Sequence, residues 1–128
     1  MDQGEDMSHT VRMLVLPVVL VVVTVVTVMA HLAPTKTLPD IDAVITASPK
    51  HIQVWFTQDP DPAVSQLSLD GPAGTVELGK TTVASEKSLM ATVSESLRPG
   101  SYVAHWRSAG DDGHVRRGDF AFTVREAN

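Results

Sequence analysis

The chain of 128 residues contains no cysteine. Disulfide scaffolds, thiolate zinc fingers, thiol nucleophiles and iron–sulfur clusters are excluded at the outset. Thioether sulfur is nearly as scarce. Of the five methionines only Met90 lies beyond residue 30, which leaves no soft ligand set for Cu(I). Basic residues are the minority, 10 Lys and Arg against 15 Asp and Glu, for a formal net charge of −5. A nucleic-acid binder needs clustered cations to displace counterions from phosphates, so nucleic acid is excluded as a partner. Also missing are internal repeats, low-complexity tracts and any helix-length stretch with apolar residues at i, i+3, i+4 and i+7.

What the sequence does have begins with one long apolar run. Residues 13–29, MLVLPVVLVVVTVVTVM, are uncharged, and Val28-Met29-Ala30 has the small-x-small form of an export cleavage site. Residues 1–30 read as a signal peptide cut between Ala30 and His31. An uncleaved membrane anchor is the alternative, because the run approaches a bilayer span and the segment before it carries Asp2, Glu5 and Asp6. Both readings put residues 31–128 outside the cytoplasm, in the periplasm or on the outer face of the cytoplasmic membrane. That part has 128 − 30 = 98 residues, enough for one core and one domain.

Its apolar period is two. HIQVWFT sets Ile52, Val54 and Phe56 on one face, and SYVAHWRS does the same with Tyr102, Ala104 and Trp106. VSQLSLD offers Leu67 and Leu69, SLMATVS offers Leu89, Ala91 and Val93, and DFAFTVR offers Phe120, Phe122 and Val124. TQDPDP, DGPAG, LRPGS and AGDDGH separate these runs as turns. The pattern predicts an all-β, antiparallel, immunoglobulin-like (Greek-key or cupredoxin-like) sandwich of about seven strands. LRPGSY is either a tyrosine corner built on Tyr102 or an ordinary turn before a strand.

Four histidines fall beyond residue 30: His31, His51, His105 and His114. His51 and His105 lie within strand runs on the face away from the apolar residues, and neither is expected to be a ligand. His114 ends the loop Asp111-Asp112-Gly113-His114. Asp112 and His114, one residue apart, can project to the same side; equally, Asp112-Gly113 can be a hairpin turn with His114 a bystander. The cut after Ala30 adds something to this loop. A chain beginning at His31 offers an α-amine and an imidazole to one ion, and Asp112 with His114 completes three nitrogens and one oxygen. Such a set suits Cu(II) in tetragonal geometry, while Zn(II) takes the same ligands tetrahedrally.

HLAPTKTLPDIDAVITASPKHIQVWFTQ, followed by LRPGSYVAHWRSAGDDGHVRRGDFAFTV, resembles the CopC copper-resistance family. The shared motifs are a histidine opening a Pro-containing start, a strand ending in Phe, a P-G-x-Y strand reaching Trp, a D-G-H loop and a final G-x-F-x-F-x-V strand. The resemblance implies an exported sandwich with a Cu(II) site on His31, Asp112 and His114. It also implies copper ion as cargo and a membrane copper importer of the CopD type as partner. Two departures stand out. No Met-rich Cu(I) segment exists here, and where relatives carry an acidic residue after the Phe strand this chain has Thr57-Gln58. Gln58 is left to support the site by hydrogen bonding from behind, without adding charge.

The expected role is copper capture, with delivery or buffering and no catalysis. Two other classes stay in view. One is a copper oxidase or monooxygenase built on a histidine brace; the other is a membrane-anchored immunoglobulin-like interaction module without metal. Nothing in the sequence marks a dimer surface.

Overall fold

A computed structural model describes residues 31–128, so the expected signal peptide or anchor over 1–30 lies outside the described residues. These contain nine strands in chain order: β1 Pro34–Leu38, β2 Val44–Ile45, β3 His51–Phe56, β4 Gln66–Gly71, β5 Gly74–Val76, β6 Thr82–Ala84, β7 Ser88–Thr92, β8 Gly100–Ala109 and β9 Val115–Val124. One sheet has the order β1-β3-β7-β6 and the other β2-β9-β8-β4-β5. No helix among the described residues is long and apolar enough to cross a membrane.

Two sheets face each other because each main strand alternates. In β3 Ile52, Val54 and Phe56 point inward, and in β8 Tyr102, Ala104 and Trp106 do, all within 7% exposure. Leu67, Leu69, Leu89, Phe120, Phe122 and Val124 close the same core. Burial of each larger member is worth about 1.5–3 kcal/mol. The aromatic residues pack pairwise. Tyr102 stacks on Phe122 at 5.5 Å between centroids, and Phe56 meets Trp106 edge-on at 5.1 Å. The Tyr102 hydroxyl donates to the Arg98 carbonyl at 2.7 Å, which makes LRPGSY a tyrosine corner.

The all-β sandwich expected from the alternation is the observed fold. It differs from the expectation at its margins. The strand count rises to nine because β5 and β6, at three residues each, and the two-residue β2 are too short to show a period. The sandwich is also not wholly antiparallel: β2 runs parallel to β9, pairing Val44 with Thr123 and Ile45 with Val124. β1 lies at a sheet edge, held to β3 on one side and reinforced by the Lys36 ammonium 4.6 Å from the Trp55 ring centre.

Candidate metal centre

β8 and β9 are the longest strands and pair over their whole length, from Gly100↔Val124 to Ala109↔Val115. The five residues between them, Gly110 to His114, form a hairpin tip. Its turn is closed by the Gly113 N–H donating to the Gly110 carbonyl at 3.1 Å. Gly113 sits at φ 72°, a left-handed conformation in which any side chain is strained. The Asp112 carboxylate then caps the bend, Oδ1 accepting from the His114 N–H at 3.0 Å. That bond fixes the carboxyl group and turns Oδ2 outward.

Two imidazoles converge on Oδ2. His31 Nδ1 lies 2.7 Å away and His114 Nδ1 3.3 Å away. The rings of His31 and His114 are 6.2 Å apart and tilted by 56°. One ligand atom from each of His31, Asp112 and His114 falls within 4.8 Å of the others. The Asp112 side chain is almost enclosed, at 7% exposure, whereas the two imidazoles stand at 55% and 76%. The hydrogen bond from His31, then the His114 N–H, hold the Asp112 carboxyl down from 3.8 to about 2. Asp112 is thus an anion at any ordinary pH, and both ring nitrogens aim at it. With their protons removed, the two ring nitrogens and the carboxylate would offer lone pairs within 4.8 Å of one another, a donor set whose chemistry fits a borderline metal ion.

His31 is delivered from the far end of the chain. Leu32 is 1% exposed and belongs to the core, which pins the residue next to His31. Thr57, just past β3, grips the same segment twice: its N–H donates to the Ala33 carbonyl at 2.9 Å, and its hydroxyl accepts from the Ala33 N–H at 3.1 Å. The next residue grips the hairpin. Gln58 Oε1 accepts from the Asp111 N–H at 3.0 Å and lies so close to Gly110 that a Cβ there would collide with it. Consecutive residues at one strand end thus bracket both halves of the cluster. Gln58 thereby touches the loop backbone one residue before Asp112.

Sequence reasoning missed Leu32 and Thr57. An apolar residue after a cleavage site is unremarkable, and a threonine after an aromatic strand has no signature of its own. The other histidines stand apart from the cluster. His105, half-buried on the outer face of the second sheet, bonds Asp70 through Nε2 at 3.1 Å, and His51 heads β3.

The fold and the cluster together define a small two-sheet β domain with a His–Asp–His centre at one end. The CopC domain matches residues 34–125, and the chain belongs to that family. It is 30% identical over 126 residues to protein YobA of Escherichia coli K12, an alignment covering 93% of this chain and 100% of that protein. YobA of Shigella flexneri matches to the same extent. Among solved structures, CopC from Methylosinus trichosporium OB3b superposes with a TM-score of 0.67 at 28% identity, over 77% of this chain and 97% of that one. PcoC of Escherichia coli, described as a methionine-rich copper resistance protein, superposes at 0.67 with 27% identity, over 75% and 100%. This chain shares that fold with a single methionine, Met90, beyond residue 30.

Proposed function

We propose that this protein is an exported copper-resistance protein that captures Cu(II) outside the cytoplasm and buffers it or passes it to a membrane importer. The observation that carries the reading is the convergence of His31, Asp112 and His114, with ligand atoms within 4.8 Å of one another. Family membership and the copper-resistance relatives support copper as the metal. The donor set supports the oxidation state: nitrogens and a carboxylate, free of sulfur, favour Cu(II), which also tops the divalent affinity series. Cleavage between Ala30 and His31 completes the set, because it turns an amide nitrogen into an amine able to chelate together with the His31 ring.

The same geometry suggests cargo handling over catalysis. Asp112 would occupy a position that oxygen activation needs open. The two exposed imidazoles leave the ion accessible to a receiving protein.

Titration of the mature protein with Cu(II), followed by EPR, tests this. The expected result is one tight equivalent with a nitrogen-rich tetragonal signal, lost or altered in His114→Ala. A His114→Ala variant that keeps the unaltered signal overturns the assignment. Vigorous ascorbate-driven peroxide formation by the copper-loaded protein would turn the reading towards an oxidase.

A further inference from the structure

The outer face of the second sheet carries a feature that the metal centre does not use. Across β4, β8 and β9, two neighbouring rungs of the ladder read Gln66–Arg107–Arg117 and Ser68–His105–Asp119. Both rungs face away from the core, since the alternate residues Leu67 and Trp106 are buried. The six side chains line an open recess of about 460 Å³. Arg107 and Arg117 are direct cross-strand partners, an arrangement in which like charges repel. Among the described residues neither guanidinium has an ion-pair or hydrogen-bond partner; every ion pair there involves a histidine.

The chain has an acidic majority, yet among the described residues no carboxylate forms an ion pair with either arginine. Asp70, the nearest candidate on β4, is committed to His105 and to the Thr75 hydroxyl. Two guanidinium groups on one rung of the ladder, lining one recess, can grip an oxyanion with charge-assisted hydrogen bonds. Gln66 and Ser68 add neutral donors along the β4 side. Asp119 lies two residues from Arg117 on the same face, about 6.6 Å along the strand. It repels a bare anion but accepts a hydrogen bond from an anion that still carries a proton.

We infer that this recess is a binding site for a protonated oxyanion of the phosphate class, held by Arg107 and Arg117 and discriminated by Asp119. Phosphate at neutral pH always bears an O–H that Asp119 can accept. Sulfate has the same shape and charge without that proton, so it is refused. The site is separate from the His31–Asp112–His114 cluster and does not depend on copper.

Metal-free protein is titrated with inorganic phosphate, with glycerol 3-phosphate and with sulfate, and amide shifts are followed by NMR. Saturable shifts should centre on residues 66–68, 105–107 and 117–119. Phosphate should bind more tightly than sulfate, and Asp119→Asn should remove the difference. Arg107→Gln and Arg117→Gln should each weaken phosphate roughly tenfold or more, with Cu(II) binding unchanged. The ester, mostly a dianion without an acidic proton at neutral pH, should bind more weakly than inorganic phosphate; tighter binding of the ester overturns the role given to Asp119. In low-salt buffer without phosphate, Arg117→Gln should melt at a higher temperature, because a repulsion has gone. Absence of saturable shifts, or shifts indifferent to both arginine variants, overturns the proposal. So does a lowered melting temperature for Arg117→Gln, which would make the guanidinium structural.

Discussion

Asp112 joins the two halves of the candidate centre, and its ionisation links the centre to the stability of the fold. The hydrogen bond from His31, reinforced by the His114 N–H, favours the charged form and lowers the carboxyl value from 3.8 to about 2. A depressed acid contributes stability that is fully present above its unfolded value and is lost as pH falls through the folded one. Metal-free Asp112→Asn should therefore melt below wild type near neutrality, and the gap should close as pH falls from 3.8 towards 2. Thermal unfolding across that range checks it. Copper binding should respond to pH for a different reason. The amine and both imidazoles must lose protons to bind a metal ion, so affinity should fall on acidification, as Cu(II) titrations at stepped pH would show. Gln58 acts one step behind these ligands by holding the Asp111 N–H. Gln58→Ala should weaken Cu(II) by roughly 10–100-fold while leaving the fold intact, as measured by competition against a chelator.

At the level of elements, the β8–β9 hairpin carries the loop, and its stiffness depends on Gly118. A Cβ on Gly118 would come within 2.6 Å of the Trp106 ring, far inside contact distance. Gly118→Ala should displace that ring and cost about 1–3 kcal/mol, read as a lowered melting temperature and a shifted Trp emission. Strands such as β3, β8 and β9 were legible in the sequence because each buries alternate large residues over a long enough run. β2 was not, since it is only two residues long, Val44–Ile45, and Val44 is 52% exposed. β1 was equally hidden: in PTKTL only Thr37 is buried. The cluster's members were legible through the D-G-H spacing and the cleavage pattern. Of what holds them, Gln58 was singled out only through the resemblance and Thr57 not at all, because they act across 53 and 24 residues of sequence, a relation that only the folded sheet creates.

Over the whole molecule, the centre joins residues 81 positions apart, His31 at one end of the domain and Asp112 near the other. Retaining even one residue before His31 should abolish the amine and weaken Cu(II), a comparison made by titrating two forms of the protein whose N-termini are verified by intact mass. The bond that closes this circuit hangs from an edge strand. β1 has a neighbour on one side only, and His31 precedes it, tethered by Leu32 and by Thr57. Dissolving those few tethers would dismantle the centre and leave the remaining strands packed. Release of a bound ion and loss of the fold would then be separate events on separate energy scales. Hydrogen exchange should show this, with the amides of Ala33 and Thr57 opening sooner than those of β8 and slowing selectively once copper is bound. The end of the domain that has a sheet neighbour on one side only is also the end that would hold the proposed copper.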